Sequence, residues 1–322
     1  MSYEIYTVKK DTFERTLKVK QINSINWNDD IDNVFISFDF ETTEELKVGE
    51  WVELYEKNDE KTIFYGIITT STRNNKNMYK YSGYDTGFFL LKNKISIQFK
   101  KNTLISNAII SACNKINIKC DISEIKQTID GFYKNKTVAE ILKILLEEAI
   151  KKGLKSEYYF DCYNGKLNLF KYETNNNLKG YIANIYKIDT TNTIDSFTIS
   201  KSIDEMKNQI QVISSDAKSE KDIKVTVKDE NNITKYGLLQ ETIEAEKDKT
   251  NYKEQAEKKL SELNIEKETL TINVLSDYNA RKGIKFSIDK ENIKVKGTYL
   301  IKSSKHNIVG TKEKVELNIM KY

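Results

Sequence analysis

The chain contains no proline among 322 residues, where average usage of ~5% predicts about sixteen. That excludes polyproline linkers and proline-marked boundaries, so domain limits must be sought in changes of periodicity. Arginine is nearly as scarce: Arg15, Arg73 and Arg281 are the three among 52 basic residues. With abundant Lys, Asn, Ile and Tyr, this fits the codon bias of an AT-rich genome. Three cysteines, Cys113, Cys120 and Cys162, are odd in number and form no CxxC pair, which speaks against a disulfide framework or a zinc site. A single histidine, His306, excludes a His-based triad or a multi-histidine metal site within one chain. The twelve glycines form neither GxGxxG nor a P-loop, and no serine sits in a nucleophile elbow. A net charge of +4 with so little arginine argues against sequence-specific nucleic-acid recognition. No run approaches the ~20 apolar residues of a membrane span, and Met-Ser-Tyr-Glu-Ile opens no signal peptide. The expectation is cytoplasmic synthesis, no membrane insertion and no cofactor.

What is present suffices for a core: 39% hydrophobic against 31% charged residues. Residues 1–100 read as β. Ile36, Phe38 and Phe40 alternate with polar neighbours, Val52 and Leu54 follow Gly49, and Ile63–Ile68 and Met78–Tyr84 add two more runs, with a hairpin tip at Arg73–Asn77. Residues 101–195 change period. A stripe from Leu104 to Ile116 predicts a helix with Thr103 as N-cap. A capping box, Thr137-Val-Ala-Glu140, opens a second helix that stops at Gly153. Asn164-Gly165 between alternating runs predicts a hairpin, and the Asn-rich stretch Thr174–Leu178 leads out of this small α+β module. Residues 196–322 return to β, with strands expected at Gln209–Ile213, Ile223–Val227, Ile233–Tyr236, Leu270–Leu275, Ile284–Ile288, Tyr299–Ser303 and Val315–Ile319, and one amphipathic helix at about Asn251–Leu263.

The informative feature is a disguised repeat. At an offset of 234 residues, Ile36, Phe38 and Phe40 fall on Leu270, Ile272 and Val274, and Gly49 falls on Gly283. Val52 and Leu54 fall on Phe286 and Ile288, Tyr65 on Tyr299, and Ile67 on Ile301. Any two antiparallel segments can be slid until apolar positions coincide, but here four strands and a glycine turn agree at one offset. The fold class expected is β-rich α+β: two related small antiparallel β-barrel domains (1–100 and 196–322) flanking an α+β insert domain (101–195). Two similar barrels per chain let three chains close a ring of near-sixfold symmetry.

Several stretches are similar to a known family. Leu46-Lys-Val-Gly-Glu-Trp-Val-Glu-Leu54, Tyr65-Gly-Ile-Ile, Lys207-Asn-Gln-Ile-Gln-Val-Ile213, Lys282-Gly-Ile-Lys-Phe-Ser-Ile288 and Tyr299-Leu-Ile-Lys-Ser-Ser-Lys-His306 resemble the baseplate hub proteins of contractile phage tails. The prophage hub family called XkdQ or YqbQ, related to late-control protein D, resembles it over nearly the whole chain. The pattern departs at Val48 and Lys282, where many relatives have proline. The resemblance implies a homotrimeric ring between the tail tube, or a tube-initiator protein, and the central spike, in contact with other baseplate proteins. Its place is a phage tail or an R-type bacteriocin assembled in a bacterium and released by lysis.

For this reading the marker residues are structural: Gly49, Gly283, Tyr65, Tyr299 and His306, the last at a position where the family tends to keep a histidine. Trp51, out of phase with Val52 and Leu54, points to the opposite face and is a candidate interface anchor. Asp29, Asp30 and Asp32 read as a polar turn. No catalytic residue is assigned. With 48 acidic residues, a tail-associated cell-wall hydrolase is the alternative, since a glycosidase needs only two carboxylates ~5–10 Å apart. A glycan-binding module using Tyr and Trp is the third reading.

Overall fold

The computed structural model describes residues 2–20, 22–154, 158–163, 165–171, 194–214, 222–245, 251–275, 280–290, 295–310 and 312–321. The chain divides into two compact units, Met1–Phe197 with Thr271–Tyr322, and Thr198–Leu270.

The chain opens with seven strands: β1 (Tyr3–Val8), β2 (Arg15–Val19), β3 (Ile22–Asp30), β4 (Ile36–Thr42), β5 (Trp51–Glu56), β6 (Lys61–Arg73) and β7 (Tyr79–Asp85). Alternation dictates their facing. Ile36, Phe38 and Phe40 of β4 are buried while their neighbours are half-buried, and they meet Ile25, Trp27, Val52, Leu54, Ile68 and Tyr81 in one core. The expected hairpin joins β6 to β7: Asn74 Oδ1 accepts from the backbone N–H groups of Lys76 and Met78, and Asn77 takes φ +57°.

The chain continues with α1 (Gly87–Lys92), β8 (Lys94–Leu104), α2 (Ile105–Asn114), β9 (Lys119–Asp121), β10 (Thr128–Thr137), α3 (Val138–Lys151), β11 (Tyr158–Tyr163) and β12 (Lys166–Lys171). The capping box at α3 is formed, with Thr137 Oγ1 accepting from Glu140 N and the Glu140 carboxylate accepting from Thr137 N. Thr103 does not cap α2. It is held extended in the β8–β10 ladder opposite Ile129, and the first N–H of α2, on Ile105, donates to Gln127 O, so the helix starts without a side-chain cap. Strands β11 and β12 pair as predicted, with Gly165 at φ +71°. Asn164 and the Thr174–Leu178 exit lie outside the described residues. Stripes from α2 and α3 bury Ile105, Ile109, Ala112, Ile141, Leu142 and Leu145 against Leu167 and Leu169. Cys113 belongs to this core, as does Cys162, and all three cysteines are free thiols.

The remaining elements are β13 (Ile194–Ser202), β14 (Gln209–Ile213), β15 (Ile223–Lys228), α4 (Glu230–Tyr236), β16 (Gln240–Glu244), α5 (Tyr252–Leu263), β17 (Lys267–Leu275), β18 (Lys285–Lys290), β19 (Val295–Val309) and β20 (Lys312–Lys321). Residues 233–236, expected as strand, are helical. Asp229 caps α4 by accepting from Asn231 N and Asn232 N, and Ile233 and Tyr236 equally fit an i, i+3 spacing. In the smaller unit α5 covers the β15-β14-β16 sheet, burying Ile210, Val212 and Ala256.

In the larger sheet the strand order is β13-β17-β20-β19-β3-β4-β7-β6-β5-β1-β2, with β18 also on β19. Strands β3-β4-β7-β6-β5 and β13-β17-β20-β19-β18 thus follow the same order, member for member.

Candidate functional site

The two glycine turns are built alike. Gly49 takes φ +93° and Gly283 φ +79°, conformations that favour glycine. Gly49 N donates to Ile68 O at 2.8 Å and receives the strand back through Ile68 N to Glu50 O at 2.9 Å. Gly283 N donates to Ile301 O and Ile301 N to Ile284 O, both at 2.9 Å. A bulge follows each, between Ile68 and Thr70 against β7 and between Ile301 and Ser303 against β20. The gapless 234-residue offset needs one correction. Gly66 lies opposite Val52, whereas Tyr299 lies opposite Phe286, so across β6 and β19 the offset is one residue shorter. Tyr299 is level with Gly66 rather than Tyr65, and Ile301 with Ile68.

Their surroundings differ. A Cβ on Gly49 would meet nothing within 4 Å, and Val48 beside it is 58% exposed. Gly283 is pressed against the Tyr159 ring, and Lys282 is 1% exposed. Here three separate parts of the chain converge on four buried charges. Arg281 Nε contacts Asp29 Oδ2 at 2.9 Å and Arg281 Nη2 contacts Asp161 Oδ2 at 3.3 Å. Lys282 Nζ lies 3.1 Å from Asp29 Oδ1 and 3.4 Å from Asp161 Oδ1, and donates to the carbonyls of Asp30 and Asn33. Two cations balance two anions, the condition under which burial is tolerated. Burial pushes the Asp29 carboxyl up, but Lys282 and Arg281 outweigh it and hold the group below the usual range.

Of the acidic trio read as a polar turn, Asp30 and Asp32 do form one, with Asp30 Oδ1 accepting from Asp32 N. Asp29 does not: it shares the inward parity of Ile25 and Trp27 in β3 and is fully buried.

Beside this cluster His306 is fully buried. Its ring stacks on Trp27 at 4.2 Å and 9°, Nε2 lies 3.3 Å from Ala280 O, and Nδ1 lies 3.2 Å from Glu313 Oε1, while Tyr3 donates to Glu313 Oε2. Burial pulls the imidazole pKa down, against the pull of Glu313. His306, on β19, thus contacts Trp27 of β3 and Glu313 of β20.

Asp85, at the end of β7, is 1% exposed. Burial pushes its carboxyl well above the usual range and the Asp161 charge adds to this, although Gly87 N donates to Oδ1. Because the folded state binds more protons, stability falls as pH rises from about 3.9 towards the folded pKa. Asp85→Asn removes that fall. Relative to the parent, its unfolding free energy is expected to climb from near parity at pH 4 to a gain of about 1–3 kcal/mol at pH 8. Urea titrations at pH 4, 6 and 8 measure this, and a difference independent of pH contradicts it.

Tyr65 stacks on Phe13 at 4.2 Å and is half-buried, which pushes its phenol pKa up; Tyr299 is buried. Trp51 faces away from the core of Val52 and Leu54, as its phase requires, but is itself 7% exposed, packed by Phe13 and Phe89. It walls a cleft of about 410 Å³ shared with Lys10, Phe89, Lys119 and Lys166. Among the described residues no three His, Cys, Asp or Glu side chains gather as a metal site. No described helix is long and apolar enough to cross a membrane. The charge cluster was missed from the sequence because its members are far apart along the chain, Asp29 and Arg281 by 252 residues.

A family model described as YQBQ-like matches residues 25–320. The chain is 24% identical over 267 residues to the phage-like element PBSX protein XkdQ of Bacillus subtilis (strain 168), covering 81% of this chain and 78% of that protein. In fold it is similar to the tail protein from Neisseria meningitidis MC58, with a TM-score of 0.70 at 16% identity over 99% of this chain and 96% of that one. It is equally similar to the 43 kDa tail protein of prophage MuSo2 from Shewanella oneidensis, with a TM-score of 0.70 at 12% identity over 100% and 98% of the two chains. A more distant likeness, TM-score 0.55 at 9% identity over 94% of this chain and 74% of that one, is to an Escherichia coli component of the type VI secretion system, described as structurally similar to the T4 bacteriophage tail proteins gp27 and gp5.

Proposed function

The chain belongs to the YQBQ-like family, and from that premise we propose that it is a structural hub of a contractile-tail baseplate, in a phage or an R-type bacteriocin. In this reading three copies form a ring of near-sixfold symmetry that joins the tail tube, or a tube-initiator protein, to the central spike. The observation that supports it most is the recurrence of one strand order and one glycine turn twice in a single chain. Two such units per chain give six quasi-equivalent positions in a cyclic trimer. In this proposal 1–100 and 196–322 supply the tube-like domains and 101–195 the insert. Gly49, Gly283, Tyr65, Tyr299 and His306 serve as packing and turn residues. The Trp51 cleft, with three lysines at its rim, is a contact for another baseplate protein. The chain acts without a cofactor, and the particle that carries it leaves the cell by lysis.

Catalysis is not part of this proposal. The Asp85 carboxyl, raised by burial and by the Asp161 charge beside it, is buried, as is Asp161, and a glycan cannot reach them. Zymography on peptidoglycan is expected to give no clearing, and a clear zone lost on substituting two acids would establish the hydrolase instead. Multi-angle light scattering tests the ring directly, the expectation being a mass of about three times 37.5 kDa for the chain alone, or a complex holding three copies once its tube and spike partners are added. A monomer that binds neither partner overturns the proposal.

A further inference from the structure

We propose that β6 of one copy and β13 of the next pair as antiparallel strands, and that this joint is what links neighbouring copies. The inference rests on the ring proposal and deepens it by naming the two edges that meet.

Along one edge β19 has two partners in succession. Its first part, 295–300, pairs with β18, and its later part, Ser303–Val309, pairs antiparallel with β3. Its other edge is taken by β20. The counterpart strand, β6, repeats only half of this. It pairs with β5 as far as Ile67 and with β7 on the other edge, but beyond Ile68 the β5 edge has no strand partner among the described residues. The burial follows. Ser304 and His306 are fully buried under the β3 junction, whereas Ser71 and Arg73, level with them in β6, are exposed. The missing strand is therefore the counterpart of β3.

That counterpart exists elsewhere in the chain. β3 is the outer neighbour of β4, and the outer neighbour of β17 is β13. β13 ends the sheet, with β17 on one side and no strand on the other among the described residues. Each chain thus offers one open β6 edge and one open β13 edge, and already shows in β19–β3 how two such edges join. An open edge with unpaired N–H and C=O groups is a template for a further strand. A contact between two different edges is heterologous, so repeating it closes a ring when the rotation allows.

Exposed apolar residues mark the same places. Val48, in the turn next to the open β6 edge, is 58% exposed, and Ile199 of β13 is 42% exposed. At the in-chain junction the corresponding turn residue, Lys282, is 1% exposed. A second copy seated on β6 covers Val48 as β3 and its neighbours cover Lys282.

Disulfide trapping tests the joint. Thr72→Cys is combined in turn with Ser196→Cys, Thr198→Cys or Ser200→Cys, three exposed positions along β13. At least one pair is expected to give covalent dimers and trimers on a non-reducing gel under mild oxidation, while each single variant gives neither. A trimer by light scattering in which no pair cross-links overturns the β6–β13 joint and leaves the ring standing. A chain that stays monomeric with its partners present overturns both.

Discussion

Replacing Lys282 by methionine is expected to lower the unfolding free energy at pH 7 by about 3–5 kcal/mol, the usual cost of breaking a buried ion pair by removing one partner. Methionine keeps the length of the side chain and removes its charge and three donors. Nζ serves Asp29 Oδ1 at 3.1 Å, Asp161 Oδ1 at 3.4 Å and the carbonyls of Asp30 and Asn33. At 1% exposure no water replaces it, and Arg281 alone is left to balance two carboxylates. Burial pulls the Lys282 pKa down, but Asp29 and Asp161 outweigh it and leave it raised. A raised lysine contributes stability below its unfolded pKa of about 10.4, lost as pH rises through the folded value. Asp29, whose pKa is lowered, contributes above its unfolded pKa of about 3.9 and loses this as pH falls through the folded value. The cost of Lys282→Met is therefore flat from pH 5 to 9 and shrinks in acid. Adding Asp29→Asn to Lys282→Met restores one-to-one charge balance and is expected to recover at least about 1 kcal/mol. Urea unfolding of the parent, single and double variants measures both effects. A loss below about 1 kcal/mol for Lys282→Met shows that the cluster is not what holds the turn in place.

What the sequence disclosed and what it hid separate along a physical line. Local rules were legible: the alternation of Ile36–Phe40, the Thr137–Glu140 capping box and the charged face of α5 each involve residues within one turn or one strand. The glycine turns were legible because Gly49 and Gly283 carry a backbone requirement that no other residue meets as cheaply. Register was not, since a one-residue slip between β6 and β19 leaves hydrophobic content almost unchanged while moving Tyr299 from the level of Tyr65 to that of Gly66. The charge cluster was least legible, because Asp29, Asp161 and Lys282 each look like ordinary surface charge until the fold brings them together. A signal did exist. Asp29 falls on the same parity as Ile25 and Trp27, so recognising 22–30 as a strand marks it as inward-facing and in need of a cation. Thr103 erred the other way: a good capping residue was outcompeted by the β8–β10 ladder, which supplied the first helical N–H with Gln127 O instead.

The two glycine turns give the second large effect, and comparing them separates backbone strain from packing. Gly283→Ala is expected to cost about 2–5 kcal/mol and Gly49→Ala about 1–2 kcal/mol in the isolated chain. Both positions hold left-handed φ, +79° and +93°, so an L-residue meets a similar backbone penalty at each. Only at Gly283 does a Cβ also strike a neighbour, lying 2.3 Å from Tyr159 Cε1, 2.4 Å from Cζ and 2.7 Å from the hydroxyl oxygen. That ring cannot easily retreat, being 3% exposed and packed against Phe170 at 5.5 Å. Trimming the obstacle should close the gap: in a Tyr159→Leu background, the cost of Gly283→Ala is expected to fall towards that of Gly49→Ala. Chemical denaturation of the four variants reads this out. Equal costs for the two glycines in the parent would mean that backbone strain alone sets them and that the Tyr159 contact yields freely. A gap that persists unchanged with leucine at 159 would place the penalty in the neighbouring charge cluster, displaced through Lys282, instead of in the ring. The distinction bears on assembly, because Gly49 lies in open space only while no second copy covers Val48. If the β6 edge is occupied in the ring, Gly49→Ala should cost the monomer only its backbone strain of about 1–2 kcal/mol and in addition weaken association, whereas Gly283→Ala should act chiefly on the fold of each copy.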